Sequence, residues 1–75
     1  FKIYQHMTIP EKITQIREAR GLTKKSLADL TGTSRSRIYR IEKGIEKPGL
    51  DILERIAKAL DCRVDLIDYR IDLNP

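Results

Sequence analysis

The sequence predicts a mainly α-helical fold of four to five short helices followed by a C-terminal β-strand. Three observations carry this. Apolar residues recur three and four apart through Leu60, the period of helices that bury one face. Polar cap residues and glycines bracket each run. Beyond Asp61 the pattern becomes alternation, Cys62-Arg63-Val64-Asp65-Leu66, the period of a strand.

The first helix starts at Thr8-Ile9-Pro10-Glu11, which supplies an N-cap, a proline and a first-turn acid. Ile9, Ile13 and Ile16 follow at i, i+4 and i+7, and Gly21 ends the run. Thr23 caps a second helix of about two and a half turns. In it Ser26 takes the capping-box place of Glu, and Leu27, Ala28 and Leu30 precede the terminating Gly32. Ser34 caps a third, mostly polar helix whose apolar pair is Ile38 and Ile41 and whose end is Gly44. After the turn Lys47-Pro48-Gly49, the residues Leu50, Leu53, Ile56, Ala57 and Leu60 form the strongest helical pattern in the chain. This fourth helix is expected at the centre of the core.

The tail shifts phase between Leu66 and Ile67, which reads as a strand with a bulge or turn there. A short fifth helix through Val64, Ile67 and Ile71 is the alternative. A lone strand cannot satisfy its own backbone. Its partner is either another segment of the chain, such as Phe1-Lys2-Ile3-Tyr4, or the same strand of a second protomer. The expected dimerisation residues are Val64, Leu66 and Ile67.

Seventy-five residues suit one small domain without a deep substrate pocket. The expected layout is an N-terminal arm over 1–7, a helical core over 8–60 and a dimerising tail over 61–75; His6-Met7 also fits an expression-tag remnant. No apolar run reaches membrane-spanning length. A cytoplasmic, nucleoid-associated protein of bacterial or phage origin is expected. Cys62 and His6 are the single cysteine and single histidine, too few for a disulfide or a structural zinc. Cys62 is expected to be a small buried apolar group and His6 a solvated one. No phosphate loop, nucleophile elbow or HExxH pair is present, so no enzyme activity, catalytic residue, metal or cofactor is expected.

Charge is uneven. Residues 11–47 hold ten basic and five acidic side chains, whereas 48–75 hold four and six. Basic charge gathered in one short stretch is the footprint of phosphate binding, and equally of a solvated helical face.

The two short helices joined by Thr31-Gly32-Thr33-Ser34 form a helix-turn-helix pattern. Ala28 is small enough for the next helix to cross closely, Gly32 tolerates a positive φ, and Ile38 anchors the second helix. Over residues 9–60 the run from Leu22 through Leu27-Ala28, Thr31 to Ser34, Ile38, Ile41-Glu42 and Gly44 resembles the phage repressor and Cro type of helix-turn-helix domain. That resemblance implies a compact lambda-repressor-like fold whose third helix enters the DNA major groove, usually in a two-fold dimer.

At 100° per residue, Ile38 and Ile41 turned inward leave Ser36, Tyr39, Arg40 and Lys43 outward, with Arg35 and Arg37 on the flanks. Such donors read guanine edges and hold phosphates. The resemblance assigns Arg35, Ser36 and Arg40 to base contacts, and Lys24, Ser34 and Lys43 to the DNA backbone. Arg37 is read as a further backbone contact, and Tyr39 as either a phosphate contact or a packing residue. Arg17 and Glu42 each flank an apolar face, and the resemblance implies that they form a partly buried ion pair between the first and third helices. The two ends of the chain, Phe1 to Tyr4 and Ala59 to Leu66, resemble those of HipB-type antitoxins. This implies an autoregulating homodimer that binds a HipA-like kinase toxin as well as a two-fold operator in double-stranded DNA. A restriction-modification controller or phage-type regulator without a toxin, and a protein-binding module that does not touch DNA, are the other readings.

Overall fold

The first three helices begin where a side chain offers their amide groups an acceptor. The computed structural model describes residues 7–65 and 70–73. Its elements are α1 (Ile9–Ala19), α2 (Lys24–Thr31), α3 (Arg35–Glu42), α4 (Leu50–Ala59), β1 (Cys62–Asp65) and β2 (Arg70–Leu73). Thr8 and Glu11 form a reciprocal capping box on α1, with the Thr8 amide donating to Glu11 Oε1 at 2.9 Å. Thr23 Oγ1 accepts the Ser26 amide at 3.0 Å on α2, and Ser34 Oγ accepts the Arg37 amide at 3.1 Å on α3. These are the donors a helix start leaves unpaired. Gly49 precedes α4 and provides no side-chain cap.

The apolar stripes then close on one another. Ile13 and Ile16 of α1, Leu27 and Ala28 of α2, Ile38 and Ile41 of α3, and Ile52, Leu53, Ile56 and Ala57 of α4 form one core with Leu60 and Cys62. Among them α2 packs on α3 and α4, and α1 packs on α3. Cys62 is buried, as its apolar character predicts.

One expectation for α4 changes. Leu50 is 42% exposed, while Ile52 is buried at 5%. Around the axis Ile52 lies about 40° from Ile56 and Leu50 about 20° from Ala57, so direction alone does not separate them. Leu50 occupies the first helical position, at the end of the apolar stripe, where burial is incomplete.

After Asp61 the described residues 62–65 and 70–73 are extended, as β1 and β2. β1 pairs antiparallel with β2 in the register Cys62↔Leu73, Arg63↔Asp72, Val64↔Ile71 and Asp65↔Arg70. The strand's partner within the chain is therefore its own residues 70–73, and β1 lies against α4. The phase shift at Leu66 and Ile67 falls outside the described residues, as do Phe1 to Tyr4 and His6.

Candidate nucleic-acid interface

The connection between α2 and α3 is set by backbone chemistry. Gly32 takes φ 67°, ψ 33°, a left-handed conformation that costs a side chain energy. That conformation lets the Thr33 amide reach back to the Ala28 carbonyl at 2.9 Å, closing the end of α2 in a Schellman arrangement. The chain then enters the Ser34 cap at once. α3 is anchored on its inner side by Ile38 and Ile41, both fully buried.

Its outer side is the candidate surface. Arg35, Ser36, Tyr39, Arg40 and Lys43 are all exposed, Arg37 is half-buried, and Ser34 is exposed at the cap. The structure thus gathers seven of the eight expected contact residues along one helix and its two ends. Lys24 stands apart at the first position of α2. Lys43 Nζ sits 5.8 Å from the centre of the Tyr39 ring, within cation–π range. Tyr39 is therefore a solvent-facing ring beside a cation rather than a core residue.

The arginine pair behaves differently from the rest. Arg37 Nε donates to Glu46 Oε2 at 2.7 Å and Arg40 Nε donates to Glu46 Oε1 at 3.1 Å. One carboxylate thus bridges two guanidinium groups one turn apart on α3. Hydrogen bonds from Arg37 and then Arg40 hold the Glu46 carboxyl below its ordinary pKa. Sequence reading missed Glu46, since it belongs to no periodic pattern. It reaches α3 because Gly44, at φ 74°, reverses the chain. The Ile45 and Glu46 amides then both donate to the Arg40 carbonyl, at 2.9 and 3.2 Å.

The frame behind this surface is ionic as well as apolar. Arg17 Nε meets Glu42 Oε2 at 2.7 Å and Arg17 Nη2 meets Glu42 Oε1 at 3.1 Å. A third bond runs from Arg17 Nη1 to the Leu22 carbonyl at 2.8 Å. Their side chains are only 7% and 3% exposed, so the pair ties α1 to α3 from within. Lys12 is also buried on α1, which the sequence pattern does not anticipate.

Residues 13–67 match the family model described as helix-turn-helix. The chain belongs to the helix-turn-helix family. Among relatives, it is 39% identical over 61 residues to the immunity repressor protein of Bacillus phage phi105, an alignment covering 81% of this chain and 42% of the repressor. The crystal structure of the restriction-modification controller protein C.AhdI from Aeromonas hydrophila superposes with a TM-score of 0.69 at 32% identity, covering 71% of this chain and 80% of that one. The biofilm master regulator SinR, in its complex with DNA, gives 0.68 at 29% identity over 72% and 87% of the two chains. The chain spans about a third to a half of the length of curated relatives such as the phage repressor. No helix among the described residues is long and apolar enough to cross a membrane.

Proposed function

We propose that this helix-turn-helix chain is a sequence-specific repressor that binds double-stranded DNA as a homodimer on a two-fold operator. The observation that carries this is the outward face of α3, with Arg35, Ser36, Tyr39, Arg40 and Lys43 exposed on a helix whose other side is locked into the core. A helix so mounted can enter a major groove without rearrangement. In this reading Arg35, Ser36 and Arg40 contact bases, and Lys24, Ser34, Arg37, Tyr39 and Lys43 hold phosphates. The described relatives named as repressors or regulators are consistent with it.

The dimer is carried by the tail. β1 and β2 form a two-stranded sheet, and outer strand edges are templates for a further strand. Val64 lies in β1, and together with Leu66 and Ile67 it is the proposed contact with a second protomer. The finer assignment, an autoregulating HipB-like antitoxin with a HipA-like kinase toxin as partner, rests on the resemblance of the chain ends alone. The likeness to C.AhdI favours a second reading, a restriction-modification controller. A kinase-like or a methyltransferase gene beside the coding sequence separates the two.

Binding to duplex DNA across a salt series tests the core of the proposal. Affinity should fall steeply, since each neutralised phosphate contributes about −0.9 to the slope of log affinity against log salt. Absent or salt-insensitive binding to every duplex would leave the third reading, a protein-binding module.

A further inference from the structure

We propose that Glu46 is a specificity-determining residue: by bridging Arg37 and Arg40 it orients the reading arginine and suppresses attraction to DNA of the wrong sequence. The inference rests on the DNA-binding reading above and adds a residue outside the helix-turn-helix itself.

Three features of the geometry carry it. Both arginines spend Nε on the same carboxylate. A guanidinium can present two parallel donors to guanine O6 and N7 either through Nε with one Nη or through its two Nη groups. With Nε of Arg40 committed, only the terminal Nη pair is left, so one approach geometry is selected before DNA arrives. Preorganisation of this kind lowers the ordering cost of the correct contact.

The second feature is charge. Among the described residues Arg35 and Lys24 form no ion pair, whereas Arg37 and Arg40 share one negative partner. Non-specific binding is driven by phosphate neutralisation. A carboxylate set among the helix cations weakens that attraction for every sequence. It is offset only where a base edge engages the Nη pair of Arg40.

The third feature is that the backbone of Glu46 is held in place independently of its ion pairs. Its amide donates to the Arg40 carbonyl, and it borders a hollow lined by Ile9, Pro10, Gly44, Lys47 and Pro48. Its side chain is 27% exposed, against 40% and 45% for Arg37 and Arg40. The anion is thus the less exposed partner, on a backbone anchored to the end of α3.

The test compares the full chain with its E46Q variant, which keeps the shape and removes the charge. A preferred duplex is first selected with the wild-type chain from a random pool of about 30 base pairs, long enough for half-sites one helical turn apart. Binding of the selected duplex and a scrambled one is then followed by fluorescence anisotropy over a salt series, at concentrations corrected for folded fraction by circular dichroism. E46Q should bind the scrambled duplex more tightly, with a salt slope more negative by up to about 0.9. Its preference for the selected duplex should fall about tenfold. A purely structural role for Glu46 would lower stability and leave slope and preference unchanged, and that result overturns the proposal.

Nitrogen-15 NMR of the arginine side chains gives a second reading that does not depend on the variant. Wild-type Arg37 and Arg40 should show distinct, slowly exchanging Nε–H signals, and averaged signals like those of Arg35 overturn the inference. Failure of the wild-type chain to bind any duplex would instead sink the repressor reading, and this inference with it.

Discussion

Arg17 and Glu42, 25 positions apart in sequence, meet through two parallel hydrogen bonds of 2.7 and 3.1 Å in a site almost closed to water. Their union fixes α3 against α1, and so fixes the surface α3 offers. Removing one partner strands the other charge. Glu42→Ala should therefore destabilise the fold by about 3–5 kcal/mol, read as a lowered denaturant midpoint. The double change Arg17→Met with Glu42→Leu should recover much of that loss, because no buried charge then lacks a counterpart. A single change that costs no more than an exposed pair, about 1 kcal/mol or less, would contradict the buried geometry.

Arg40 and Lys24 should differ in kind. Arg40→Ala is expected to cost about 1–3 kcal/mol on the preferred duplex and to relax base preference at one position in each half-site. Lys24→Ala should weaken preferred and scrambled duplexes alike. Competition binding with single-base variants of the duplex distinguishes a base contact from a phosphate contact. Equal effects of both changes on both duplexes would remove the assignment.

Gly44 links the end of α3 to Glu46. Its φ of 74° lies in the left-handed region, and a methyl group there would meet no atom within 4 Å apart from those of its own residue and its two chain neighbours. The cost of Gly44→Ala is therefore that of the local backbone conformation and not of a clash with the rest of the fold, about 1–2 kcal/mol. Thermal unfolding should show that loss. The same variant should loosen the Arg37 and Arg40 pairing, visible in their Nε–H signals.

Glu11 gives a pH-dependent contribution of known sign. Hydrogen bonds from Thr8, the backbone amide first and the hydroxyl second, hold its carboxyl below the ordinary value. A lowered folded-state pKa means that the capping box stabilises α1 fully above the unfolded-state value and loses that effect as pH falls through the folded one. The protection factor of the Thr8 amide, its exchange measured against the intrinsic rate at each pH, should fall over that acid range. In Thr8→Ala, which keeps the amide but loses the hydroxyl, the Glu11 titration should move part of the way back toward the ordinary value.

The helices and their caps were legible because the signals are local. Thr8, Thr23 and Ser34 stand three residues from the amides they accept or cap, and the Ile38 and Ile41 pair alone orients α3. Arg17 and Glu42 were found through family resemblance, since no spacing rule joins residues 25 apart. Glu46 carried no signal at all. It reaches Arg37 and Arg40 only after the turn at Gly44 is built, and a residue beyond a helix end has no place on that helix's wheel. Leu50 and Ile52 exchanged expected roles because periodicity gives direction around an axis but not how far a neighbouring element extends along it.

From the order of its residues alone, this chain specifies where its helices start and stop, which side of α3 is apolar, and how its cations are concentrated. Those properties depend on interactions spanning three or four positions. Packing alone decides that one carboxylate joins two arginines on the exposed side of α3, that Arg17 and Glu42 are sealed from water, and that β1 finds β2 as its neighbour. Each of these joins positions whose separation the chain must close by folding, so their energies exist only in the assembled domain.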